Sequence, residues 1–146
     1  MGVDVLRTVW DTLRAEHGGE PTIARLQRER LNRLVRHART ASPYYRSLYQ
    51  GLPSRVTDPR VLPPVAKREL MAHFDDWVTD PDLTLAGLRR DFLSDLSLVG
   101  LPYLGRYHVF TTSGTTGEPA VLVHDRDSWQ VLLIVARLRA RRALRA

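Results

Sequence analysis

The sequence contains no cysteine. That excludes a disulfide scaffold, a thiolate nucleophile and thiolate metal ligands. Lysine is nearly absent too: of 22 basic residues only Lys67 is a lysine, and the rest are arginine. The formal net charge of +6 therefore sits on guanidinium groups and favours anionic partners without naming one. Aromatic residues make up 8% and are scattered, which argues against stacking platforms for nucleic acid. No apolar run approaches the roughly 18 residues of a membrane span. The opening "MGVDVLRTVWDTLRAEHGGE" lacks the basic start and apolar centre of a secretory signal. Leu6 stands where a myristoylation signal carries serine or threonine. These absences lead to the expectation of a cytoplasmic protein with no membrane partner. The five histidines, at 17, 37, 73, 108 and 124, lack metal-ligand spacing.

What remains is ordinary for a folded chain: 146 residues, 43% hydrophobic and 26% charged, enough for one domain or a piece of a larger one. Val5, Leu6, Val9, Trp10 and Leu13 share one face of a helix predicted over 3–16, which His17-Gly18-Gly19 ends. Pro21-Thr22 opens a second helix. There Ile23, Leu26, Leu31, Leu34, Val35 and Ala38 recur near the helical period among arginines. Ser42-Pro43 stops it, and "YYRSLYQG" adds a further turn or two. A proline-rich connector runs from Leu52 to Pro64. "VAKRELMAHFDDWV" is predicted helical with Val65, Leu70 and Phe74 inward, and another helix is predicted from Asp82 or Thr84. Residues 107–112 and 120–124 are short β-rich runs, and Asp127 is the predicted cap of a last helix from Ser128.

The order is helices, one hairpin, one helix. Two strands alone are marginal in water and want a larger sheet. The fold class expected is an α/β fragment, with residues 1–21 a helix and linker and 22–146 part of a larger domain.

Between the two β-rich runs lies "TTSGTTGEP", Thr111 to Pro119. Glycine lets backbone approach a ligand closely. Converging N–H groups and hydroxyls make a nest for phosphate oxygens. Ser113, Thr115 and Thr116 each offer an O–H, and Gly114 and Gly117 permit positive φ. A Walker loop is excluded, because Gly114 and Gly117 are three apart and no lysine follows. A plain Gly/Thr-rich turn with no ligand is the competing reading of the composition.

The stretch resembles the phosphate-binding signature of the adenylate-forming superfamily, which includes acyl-CoA synthetases, peptide-synthetase adenylation domains and luciferases. The match runs from Thr112 to Gly117 and includes Pro119, while Ala120 replaces the usual lysine. That departure is similar to the phenylacetate–CoA ligase and coenzyme F390 synthetase-like branch. "HARTASPYYRSLY" (37–49) and "LPPVAKREL" (62–70) resemble two further landmarks of that branch, in the same order.

The resemblance implies an ATP- and magnesium-dependent ligase that activates a carboxylic acid as its adenylate and passes it to coenzyme A. It implies that Thr112, Ser113, Gly114, Thr115, Thr116 and Gly117 hold the ATP phosphates, and that Lys67 contacts substrate phosphate or carboxylate. No role falls on Glu118. The resemblance places the adenine, ribose and C-terminal lysine elements beyond this loop. None is found in the chain, so the expectation is an incomplete N-terminal AMP-binding domain, truncated after the phosphate loop. It would be inactive alone or completed by a second polypeptide, and no catalytic residue is assigned.

Other residues carry weaker signals. Lys67 also reads as a helix-start lysine paired with nearby acids. His108 and His124 read either as a base near the bound acid or as strand histidines satisfied by neighbours. Ser113 lacks the elbow of a serine nucleophile. Tyr44 and Tyr45 read as packing at a helix-to-connector junction. Two other functions stay open: a non-catalytic remnant binding nucleotide or a partner protein, and a small basic nucleic-acid-binding protein.

Overall fold

The computed structural model of the protein describes residues 5–112 and 119–143. Its chain divides into two compact units. One comprises Met1–Ile23, Gly100–Phe110 and Leu122–Ala146; the other comprises Ala24–Val99 and Thr111–Val121.

Helix α1 spans Val5–Ala41 but is broken at Gly19, whose backbone has φ 65° and ψ −170°. That φ is costly for any residue with a Cβ. Gly18 is constrained differently: a Cβ there would lie 2.3 Å from Thr22 Oγ1. Pro21 follows at the first turn after the break, where its missing N–H costs no helical bond. The predicted split at 17–19 is therefore present. Before the break the apolar face is uncovered, with Leu6 83% and Trp10 60% exposed. After it, Leu26 and Val35 are buried while Ile23 and Leu34 are exposed.

The second unit continues through Ser42, which ends α1 and caps α2 (Pro43–Leu48) by accepting the Tyr45 N–H. Arg39, in the last turn of α1, donates to the carbonyls of Pro53, Tyr49 and Leu52 at 2.9, 3.1 and 2.8 Å. One guanidinium thus satisfies three carbonyls of the turn and connector after α2. Above it lies a core of Val35, Tyr49 and Val56, packed by Leu31, Ala38, Tyr45, Leu48, Leu52 and Leu62. The Val56 N–H is paired with Asn32 Oδ1 at 3.2 Å.

The predicted single helix over 65–78 is two pieces, α3 (Lys67–Ala72) and α4 (Phe74–Trp77), separated by His73 at φ −112° and ψ 29°. Met71 and Phe74 are buried, Leu70 only partly. The next helix begins as predicted after Thr84, whose hydroxyl accepts the Gly87 N–H. It runs only as α5 (Leu85–Leu88) before widening into a π turn over Arg89–Leu93.

Strands β1 (Tyr107–Thr111) and β2 (Val121–Asp125) form a two-stranded antiparallel sheet. A tight turn precedes β1. Tyr103 and Tyr107 exchange backbone bonds of 2.8 and 3.0 Å around Leu104 and Gly105, both at positive φ. Both tyrosines are buried. Helix α6 (Arg126–Ala143) follows β2 directly. Its cap is Asp125, not Asp127: Asp125 Oδ1 accepts the Ser128 N–H at 2.7 Å. Asp125 closes the strand and opens the helix, leaving no linker for a later cap.

The architecture is helix-rich and mixed, with one hairpin and a closing helix, as the α/β reading expects at that coarse level. Among the described residues no helix is long and apolar enough to cross a membrane.

Candidate functional site

The phosphate-loop candidate is carried at the tip of the β1–β2 hairpin. Ser113, Gly114, Thr115, Thr116 and Gly117 lie outside the described residues. The neck beneath them is clear. Thr112 N donates to the Ala120 carbonyl at 3.0 Å, and Ala120 N donates back to Thr112 Oγ1 at 3.0 Å. Thr112 thus spends its amide and one hydroxyl lone pair on closing the neck, and keeps its O–H as a donor. Ala120 and Val121 are buried behind it. Val121 N donates to Met71 Sδ at 3.3 Å, which ties the exit of the loop to α3. The side chain at 120 is therefore a small packing group.

Lys67 is exposed at the start of α3. No acid pairs with it among the described residues.

The Thr112–Ala120 pair sets a register in which His108 faces His124 and Phe110 faces Leu122. Trp129, on α6, stacks on His108 at 4.9 Å and leans on Phe110 at 5.1 Å. His124 meets Phe110 edge-on at 5.9 Å. Both histidines therefore pack with aromatic rings. Trp129 was not singled out from the sequence. Its place four residues past Asp125, which ends β2 and caps α6, was the available signal.

A second cleft, unforeseen from the sequence, opens between α2 and the α3–α4 pair, with a volume near 440 Å³. Pro43, Tyr44, Ser47 and Leu48 form one wall; Glu69, His73 and Asp76 form the other. Tyr44 does more than pack. Its hydroxyl donates to Glu69 Oε1 at 2.6 Å, and its ring lies 5.7 Å from that of His73. His73 Nδ1 stands 3.8 Å from Asp76 Oδ2. Desolvation, then the bond to Glu69 and its negative charge, push the Tyr44 phenol up to about 12. Tyr45 does pack, edge-on to Tyr44 and tilted against Tyr49 at 5.1 Å. Glu69 lies on α3, Asp76 on α4 and His73 between them, and the partner Tyr44 lies 25 residues from Glu69.

Among the described residues no group of three or more acidic or imidazole side chains could hold a metal ion. A scan of protein-family models, a search of curated proteins and a search of solved structures each find no match to this chain.

Proposed function

We propose that the chain supplies the phosphate-holding part of an ATP-dependent carboxylic-acid-activating ligase, of the kind represented by phenylacetate–CoA ligase. The loop 112–117 grips the β- and γ-phosphates of ATP and stabilises the charge that grows on departing pyrophosphate. The reading is supported by one observation above all. A run of small donors, matching the adenylate-forming signature at Thr112 to Gly117, spans two paired strands whose neck is closed by reciprocal Thr112–Ala120 bonds. A closed neck fixes where the loop starts and ends. Coenzyme A is the acceptor that the resemblance implies. On its own the chain holds nucleotide without positioning an acid for attack, because near-attack geometry needs a pocket for both reactants.

The test is ATP–pyrophosphate exchange with a panel of aryl and fatty acids, on the chain alone and with a polypeptide supplying adenine and acid pockets. Exchange is expected only in the second case. Exchange that survives combined Ser113→Ala, Thr115→Ala and Thr116→Ala substitution would remove the loop from the mechanism.

A further inference from the structure

We propose that the cleft between α2 and the α3–α4 pair receives the guanidinium group of an arginine side chain or arginine derivative. The ligand enters between the rings of Tyr44 and His73 and the carboxylates of Glu69 and Asp76.

Four observations converge. First, the volume near 440 Å³ admits a side chain of that length, and the Pro43, Tyr44 and Leu48 wall suits its methylene stem. Second, the two ring planes lie within 33° of each other. A flat cation stacks on such a surface more readily than a tetrahedral ammonium does.

Third, the charge is locally inverted. The chain carries +6 overall, and its arginines neutralise Glu29, Asp58 and Asp91 in ion pairs. Glu69 and Asp76 have no such partner among the described residues. Glu69 holds only the Tyr44 hydroxyl, through Oε1, and Asp76 only the distant His73 nitrogen. Both carboxylate residues line the cleft, and a carboxylate suits the fork of a guanidinium. A divalent metal is a poorer fit, because these groups do not converge on a point.

Fourth, the walls are held in place before anything binds. Ser42, fully buried, donates to the Asp76 carbonyl at 3.0 Å and accepts the Tyr45 N–H at 3.3 Å. The start of α2 is thereby joined to α4, so the cleft need not be ordered on binding.

The guanidinium can come from a small arginine derivative or from a polypeptide, for which the five-arginine run over 137–146 of a second copy is the natural probe. The experiment follows the Tyr44 and His73 ring signals of the full chain by NMR. The titrants are N-acetylarginine amide, its neutral citrulline analogue, the lysine analogue, and the peptide RLRARRALRA. The arginine compound is expected to shift both rings saturably, citrulline to leave them unmoved, and lysine to bind more weakly. Glu69→Gln and Asp76→Asn should each weaken arginine about fivefold, as for a single exposed charge contact. Tyr44→Phe, which keeps the ring, should retain binding, and Tyr44→Ala should lose it. Peptide binding at least about tenfold tighter than the amide, as multivalency would give, assigns a polypeptide source; equal binding per arginine assigns the small molecule. Citrulline binding as well as arginine, or affinity untouched by both carboxylate substitutions, overturns the proposal.

Discussion

Ser42 donates its hydroxyl to the backbone carbonyl of Asp76 at 3.0 Å, across 34 positions of sequence. The same oxygen accepts the Tyr45 N–H at 3.3 Å. One small side chain thus caps α2 and fastens it to α4, which it can do only because it is completely buried. Ser42→Ala removes both bonds and leaves a carbonyl and an N–H unpaired. Loss of a cap costs about 1 kcal/mol and a buried orphan about 1–3. A destabilisation of about 2 kcal/mol is expected by urea titration, as a lower midpoint with an unchanged slope. An unshifted midpoint would mean that water replaces the hydroxyl.

Arg39 is expected to be intolerant of lysine. Its three acceptors, Tyr49, Leu52 and Pro53, are reached by two nitrogens of one planar fork. A single ammonium cannot reproduce that geometry. Arg39→Lys should cost about 1–2 kcal/mol while preserving charge, which thermal unfolding would show. Unchanged stability would assign the contacts no net value.

Met71→Leu keeps volume and removes the sulfur that accepts the Val121 N–H. Such a swap costs less than about 1.5 kcal/mol in packing. The sharper readout is local: hydrogen exchange at Val121 should accelerate relative to the rest of β2. Equal acceleration along the whole hairpin would indicate general loosening instead.

The Tyr44 phenol offers a pH test. Its folded value, about 12, lies above the ordinary 10.0 of a phenol. The raised value means that the neutral phenol is favoured by the fold. Its stabilising contribution is complete below pH 10 and is lost as pH climbs through 12. Glu69→Gln removes the negative charge beside it and should lower the phenol's titration midpoint, followed by NMR of the Tyr44 ring carbon. A midpoint unmoved by that substitution would leave desolvation and the neighbouring Tyr45 and Tyr49 as the causes.

Local signals were readable where one or two residues decide the backbone. The Gly18-Gly19 break, the Ser42-Pro43 stop and the Thr84 cap are of that kind, because each acts within a turn of its own position. The α6 cap was misplaced by two residues because Asp125 and Asp127 both precede a helical run. Only the strand end at Asp125 distinguishes them. Periodicity put Leu6 and Trp10 on one face of α1 but could not say whether anything covers that face, and both are exposed. It also could not foresee the interruption at His73 or the π turn at Arg89–Leu93, which are settled by packing. The Tyr44–Glu69 contact joins two motifs far apart in sequence, so neither motif alone announces it. The Gly/Thr-rich loop stood out by composition, and its neck is closed by the Thr112–Ala120 bonds.

The most direct test of the loop is nucleotide binding to the full chain by calorimetry. ATP and tripolyphosphate should bind and AMP should not, because the role proposed for the loop is to hold the outer phosphates. Combined Ser113→Ala, Thr115→Ala and Thr116→Ala substitution should weaken ATP at least about tenfold, the equivalent of about 1.4 kcal/mol. AMP binding as tightly as ATP, or the triple variant retaining full affinity, would contradict the account.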